Sequence, residues 1–347
     1  MKTSKLLSLL LFLFCYSWTT VSAQQLSHFS QYMLNGYLIN PALAGSENYG
    51  ELKTGYRSQW SGVEGAPESF YLTAHTPLGK MNRSNTPTSF PYRERTGSKS
   101  LRQNYRTKDV LHALPHHGAG LAIVRDKAGV LQRTDVGLSY AYHLPVSRSL
   151  KLSAGMTAGF ALYQVDEAAL ELTNPNDPAF LGSYYNQAKP TIAAGMLLYS
   201  ERFYAGFASA QLLQDELSRH FWDKGTTEND ARSRAHHSLM GGYKVYLSPK
   251  VSLLPSVLVK YASPAPLTAD VNVKLLLDDK LWLGGSYREQ ESFVALAGIN
   301  IKNLVQVGYA YDVAATGMSR YGRGSHEVVI GLFLHNRDRV FSPSDFW

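Results

Sequence analysis

A single cysteine stands in 347 residues, at position 15. It falls inside a stretch that reads as an export leader: Lys2 and Lys5, an apolar run from Leu6 to Phe14, and Val21-Ser22-Ala23 ahead of Gln24. A lipoprotein leader needs small residues just before its cysteine, whereas Cys15 follows Phe14. Cleavage after Ala23 is therefore expected, and it removes the only thiol. The mature chain then has no disulfide, no thiolate metal site and no cysteine nucleophile. Long apolar runs are missing too, since nothing after Ala23 approaches the roughly 18 uninterrupted apolar residues of a membrane helix. The HExxH, GxSxG and Walker-type signatures are also absent. The pairs His116-His117 and His236-His237 make poor metal sites, because adjacent strand residues point to opposite faces. Asp135, Ser139 and His143 share a strand face, but spacing without mutual geometry is no triad. These absences lead us to expect no catalysis, no cofactor and no metal.

What the chain has instead is glycine (28), tyrosine (22) and alternation. In 151–162, Leu152, Ala154, Met156, Ala158, Phe160 and Leu162 are apolar, while Lys151, Ser153, Gly155, Thr157, Gly159 and Ala161 between them are polar or small. Successive side chains of a strand point to opposite sides, so this segment has one apolar and one wet or close-packed face. Val136, Leu138, Tyr140 and Tyr142 oppose Asp135, Gly137, Ser139 and His143 in the same way. Ala269, Val271, Val273, Leu275 and Leu277 oppose Thr268, Asp270, Asn272 and Lys274, and Val305, Val307, Tyr309 and Tyr311 oppose Gln306, Gly308 and Asp312. The segment 292–300 is apolar on both faces, leaving its register open. Strands are predicted at 49–57, 68–76, 117–125, 130–143, 149–162, 190–199, 202–210, 236–247, 251–261, 267–277, 280–288, 292–300, 303–312 and 326–335. Their lengths lie near the roughly 9–11 residues that cross a bilayer at a tilt. The fold class is therefore all-β, a transmembrane antiparallel β-barrel of about 14 strands. Tyr142, Tyr199 and Tyr311, near strand ends, are placed in an interfacial aromatic belt.

The mean hydropathy of −0.20 is compatible with this fold, because only alternate residues face lipid. The domain plan is a leader at 1–23, an N-terminal periplasmic or plug segment at 24–48, an outer-membrane barrel at 49–335 and a periplasmic tail at 336–347. Connections after even-numbered strands are short, as expected on the periplasmic side, and those at 163–189, 211–235 and 313–325 are long. The basic insertion 79–116 breaks the alternation. From Gly79 to His116 it carries a net charge of +6, with Lys80, Arg83, Arg93, Arg95, Lys99, Arg102, Arg106 and Lys108 against Glu94 and Asp109. Removing Lys2 and Lys5 leaves 32 basic and 27 acidic residues in the mature chain, a net of +5, so everything outside the insertion sums to −1. Two readings stand: a solvated, disordered insertion, or a docking arm for an acidic periplasmic partner. Nucleic acid is not expected as a partner.

The segments His28-Phe29-Ser30-Gln31-Tyr32-Met33-Leu34-Asn35, Asn40-Pro41-Ala42-Leu43-Ala44-Gly45, Tyr56-Arg57-Ser58-Gln59-Trp60, Gly65-Ala66-Pro67, Tyr311-Asp312 and Gly324-Ser325-His326-Glu327 follow one another in order. In this arrangement the chain resembles the PorP/SprF family of type IX secretion outer-membrane proteins of Bacteroidetes. The resemblance runs over roughly residues 25 to 335, except for the insertion. It implies a non-enzymatic barrel that works with periplasmic components of the secretion and gliding machinery. Family members help large cargo proteins, gliding adhesins among them, to reach the cell surface. The motif residues Phe29, Gln31, Tyr32, Asn40, Pro41, Gly45, Arg57, Gln59, Trp60, Pro67, Ser325, His326 and Glu327 become candidates for partner contact or for structural roles. Pro41, Gly45 and Pro67 are expected to set turns that bring the N-terminal segment to the barrel rim. Tyr56 and Trp60 are placed at the membrane interface. Arg57, Gln59 and Glu327 are read chiefly as hydrogen-bonded groups inside the barrel, and of His326 and Glu327 one faces the lumen. Arg93, Arg95, Lys99, Arg102, Arg106 and Lys108 are the periplasmic docking candidates. The alternative is a passive channel for small solutes with Lys260, Lys274, Asp270 and Asn272 lining its lumen.

Overall fold

Alternating segments with no helix to cover them must pair along both edges, and in this protein they close on themselves. A computed structural model describes residues 29–47, 49–78, 115–147, 150–166, 187–213, 235–263, 265–289, 291–301, 304–315 and 323–334. Its strands are β1 (Gly50–Ser58), β2 (Glu68–Leu78), β3 (His116–Ala128), β4 (Leu131–Pro145), β5 (Lys151–Val165), β6 (Gln187–Tyr199) and β7 (Phe203–Ala210). Next comes β8, in two pieces (His236–Tyr243 and Val245–Ser248) separated at Lys244. The set is completed by β9 (Val251–Tyr261), β10 (Thr268–Leu277), β11 (Leu281–Arg288), β12 (Ser292–Ile301), β13 (Val305–Ala314) and β14 (Ser325–Leu334). Each strand pairs antiparallel with its chain neighbours. The ring closes where β1 meets β14, in register from Gly50 opposite Leu334 to Ser58 opposite His326. Closure removes the unpaired edges that a bilayer would penalise.

The alternation sorts residues as the sequence suggests. Leu138, Met156 and Phe160 stand on the outer face, 67%, 55% and 51% exposed, while Ser139, Ser153 and Ala161 are buried on the inner one. The ambiguous segment resolves with Phe293 outward and Val294 and Leu296 inward. β4 and β5 each run to 15 residues, close to the 14 predicted for each. β3 and β4 are joined by a tight turn at Gly129 (φ +59°), and at this end their hairpin extends past the apolar outer band. There the outer face turns polar, with Arg125 donating to Gln132 (3.0 Å) and Gln132 to Gln164 (3.1 Å). Tyr199 corrects the aromatic-belt expectation: it is 1% exposed and points inward, against the His143 ring.

One end of the barrel carries the short connections 146–150, 200–202, 249–250, 278–280 and 302–304, together with the insertion between β2 and β3. The other end carries the connections that follow odd-numbered strands. Ahead of β1, three single 3₁₀ turns, η1 (Tyr32–Leu34), η2 (Gly36–Leu38) and η3 (Pro41–Leu43), are almost wholly buried inside the ring. Around them pack Leu197, Met240, Leu254, Leu276, Trp282 and Leu296, an apolar filling in the short-turn half of the lumen.

Met156 tests the facing of β5. Met156→Arg should destabilise the assembled barrel by about 2–4 kcal/mol, the cost of an arginine near the bilayer midplane. Urea unfolding in lipid vesicles, followed by heat-modifiable gel mobility, reads this out; unchanged stability would mean that β5 is inverted.

Candidate functional site

Residues 29–47 present a physical problem, since an irregular segment inside a barrel must find partners for its own backbone. The wall supplies them. Where the plug comes closest, the wall is glycine. A Cβ at Gly118 would run into the Ala44 carbonyl, one at Gly155 into Pro41 and Ala42, and one at Gly195 into the Asn40 side chain. The plug thus lies backbone-to-backbone against β3 and β5 and sets the Asn40 side chain against β6. Asn40 caps η3 by accepting from the Ala42 amide (3.0 Å), and its Nδ2 donates to the Met196 carbonyl (3.0 Å). Pro41 starts η3, where its missing N–H is not needed. Gly45 turns the chain at φ +70°.

Two imidazoles grip the end of the plug nearest β1. His116 and His143 stack with centroids 4.4 Å apart, and their Nε2 atoms meet the carbonyls of Gly45 (3.0 Å) and Ala44 (2.8 Å). Each ring therefore donates from Nε2. His143 Nδ1 faces the Tyr199 hydroxyl at 2.9 Å, and a hydroxyl donating there fixes the tautomer. Further along, the Lys53 ammonium donates to the Leu34 carbonyl and is paired with Glu51, itself near His75. Tyr37, whose hydroxyl burial pushes up to about 12, stays protonated and donates to Ser139 Oγ (2.7 Å).

The opposite end of the plug is latched by acids. Glu327 accepts from the backbone amides of Ser30 (2.6 Å) and Gln31 (3.1 Å), while Gln31 Nε2 donates back to the Glu327 carbonyl (3.0 Å). Ser30 Oγ donates to Asp312, which also accepts from Arg57 at 2.8 Å. All these groups are buried, so the carboxylates are held by amides, a hydroxyl and a guanidinium in place of water. Phe29 packs edge-on against Tyr71, and Asn272 donates to the Tyr32 hydroxyl.

Above the plug the described residues leave part of the lumen unfilled. A cavity of about 290 Å³ occupies the long-connection half, with Phe29, Leu38 and Ile39 of the plug as its floor. Its wall includes Ala122, Val124, Arg133, Asp135, Lys260 and Glu291.

Most of the motif residues converge on this plug and its latch. Phe29, Gln31, Tyr32, Asn40, Pro41, Gly45, Arg57 and Glu327 all line or form it. Gly45 turns the chain beside Thr76, Pro77 and Gly118, near the short-turn rim, while Pro41 lies deeper, against Gly155 of β5. Gln59, Trp60, Pro67 and Ser325 instead form a separate rim structure. The Gln59 amide donates to the Pro67 carbonyl (2.9 Å), and the amide of Trp60, at φ +46°, donates to Ser325 Oγ (3.2 Å). His326 points outward, its Nδ1 2.7 Å from the Tyr309 hydroxyl. Arg93, Arg95, Lys99, Arg102, Arg106 and Lys108 lie outside the described residues. Lys53, Asp312, His116 and His143 were missed as site residues. The signal available was weak: polar side chains on the inward parity of their strands, with nothing to say what they would meet. Among the described residues no group of three or more His, Cys, Asp or Glu side chains is placed to hold a metal.

A family model described as "Type IX secretion system membrane protein PorP/SprF" matches residues 21–332. No curated protein matches the chain. Among solved structures, Omp33 of Acinetobacter baumannii is 8% identical with a TM-score of 0.44, over 84% of this chain and 100% of that one. The toluene transporter TodX of Pseudomonas putida is 9% identical with a TM-score of 0.45, over 86% and 93%. The toluene transporter TbuX of Ralstonia pickettii is 11% identical with a TM-score of 0.44, over 88% and 93%.

The glycine wall yields a direct test. Gly118→Ala places a methyl group against the Ala44 carbonyl, so the plug must shift, at a cost of about 1–3 kcal/mol. Gly285→Ala, whose Cβ would meet only the Val294 carbonyl at 3.9 Å, is the control. Planar-bilayer recordings should show higher ion conductance for Gly118→Ala and none of that rise for Gly285→Ala. Equal, low conductance in both would mean the contact does not seat the plug.

Proposed function

The chain belongs to the PorP/SprF family of type IX secretion system membrane proteins, and from that premise we propose a closed outer-membrane scaffold that acts through protein contacts. It supports the export or surface attachment of large cargo proteins, gliding adhesins among them, by engaging periplasmic components of the machinery. The observation that carries this reading is the plug. Residues 30–45 fill the short-turn half of the lumen and are fastened to β1, β3, β4, β13 and β14. A filled lumen suits a scaffold better than a conduit, and a polypeptide cargo would need far more room than the cavity above the plug provides. No catalytic role is needed for such a protein.

Short turns mark the periplasmic end of barrels of this class. The insertion between β2 and β3 leaves from that same end with its net charge of +6. A chain otherwise near neutral that concentrates its positive charge at one end is suited to an acidic partner, through contacts that steer encounter and weaken with salt.

Affinity purification from native outer membrane in mild detergent, read by mass spectrometry, tests the proposal. Periplasmic proteins of the type IX system or a large surface adhesin should co-purify. Recovery of the barrel alone, together with solute flux into liposomes, would overturn the scaffold in favour of a passive channel. Deleting residues 80–114 should leave barrel assembly intact and lower the yield of periplasmic partners. Unchanged co-purification from that variant would eliminate the docking arm.

A further inference from the structure

The cavity above the plug differs from the short-turn half of the lumen, which the plug and the apolar side chains around it fill. Its floor is apolar, made by Phe29, Leu38 and Ile39, and Ala122, Val124 and Ala193 extend that surface up the wall. At about 290 Å³ it falls at the lower edge of the roughly 300–1,000 Å³ usual for small-molecule pockets. An apolar hollow of this size with a few polar groups at fixed points is built like a ligand site rather than a water channel.

The charged groups of its wall are unequal. Arg133 is paired with Asp135 at 2.8 Å and lies over the Tyr163 ring, 5.3 Å from its centroid. Glu291 accepts from Arg288 at 2.9 Å. Lys260 stands apart. Its ammonium donates no hydrogen bond among the described residues, and its ion pair with Asp270 is a long one, 4.0 Å to Oδ2, with Arg288 holding Oδ1 at 2.9 Å. Lys260 borders both the large cavity and the narrow crevice beneath it that Phe29, Tyr32, Leu38 and Ile39 line. A cation with donors to spare therefore stands at the edge of an apolar floor, held only by a long ion pair to Asp270.

We propose that this cavity binds a carboxylate with a short hydrocarbon tail, its head on Lys260 and its tail over Phe29, Leu38 and Ile39. One ammonium matches the single charge of a carboxylate, and burial of the tail supplies affinity that scales with its length. An alkylamine is disfavoured, because to reach Asp135, Glu291 or Asp270 it would have to displace Arg133, Arg288 or Lys260. Binding at this site does not depend on the scaffold reading, because the plug closes the cavity below.

The full chain, purified in amphipol, is titrated with decanoate, decanol and decylamine, and bound ligand is counted by native mass spectrometry. One decanoate should bind saturably, at least about 10-fold more tightly than decanol, in line with a charge-assisted hydrogen bond. Lys260→Gln should abolish the preference for decanoate and leave decanol binding in place. Ala193→Trp, which fills the cavity from β6, should remove both. Equal affinity for decanoate and decanol, a preference for decylamine, or decanoate binding that survives Ala193→Trp would each overturn the proposal. If Lys260→Gln fails to assemble, the head-group series and Ala193→Trp still decide it.

Discussion

The pairing of β1 with β14 is the constraint on which the other features rest. Without it, fourteen strands form an open sheet with two long unsatisfied edges, which a bilayer would not tolerate. With it, the ring has an interior, and the chain just before β1 leaves Gly50 at the seam, beside the lumen mouth. The latch sits on the same seam. Glu327 is opposite Arg57 in the β1–β14 ladder, and both are inward on their strands. Closure thus brings together, from opposite ends of the sequence, the acid and the guanidinium system that hold Ser30 and Gln31.

The outer face and the lumen are governed by different rules. Outside, apolar side chains need only to face lipid, and Leu138, Met156 and Phe160 meet that need without specific neighbours. Inside, charged and polar groups are deeply buried, and each requires a donor or acceptor at a defined place. The plug meets that requirement with its backbone. Carbonyls of Leu34, Ala44 and Gly45 receive Lys53, His143 and His116, and amides of Ser30 and Gln31 satisfy Glu327. A short irregular segment is well suited to this, since most of its N–H and C=O groups are not consumed by its own secondary structure.

This division also explains how far the sequence could be read. Facing along β5, β10 and β13 follows from a period of two, a local property visible within a dozen residues. The positions of the strands and the lengths of their connections follow from the same signal. The partners in the lumen do not. Glu327 and Ser30 are 297 residues apart, and His143 and Ala44 are 99 apart, with nothing in either neighbourhood to name the other. Tyr199 shows the limit in one residue. An aromatic near a strand end fits an outer belt, and only the inward parity of β6 and the waiting His143 ring place it inside. The cavity was illegible for a related reason: an unfilled volume is set by how far the plug reaches, and no local pattern records that.

The order of the chain adds a consequence for assembly. The plug is the first part of the barrel domain to emerge, and the strand that carries Glu327 is the last. Glu327 is buried by the plug and accepts two of its amides, so these bonds form only when the plug and the closing strand are both in place. Filling and closure therefore share bonds: a chain without residues 30 and 31 closes the ring without the two amides that Glu327 accepts from.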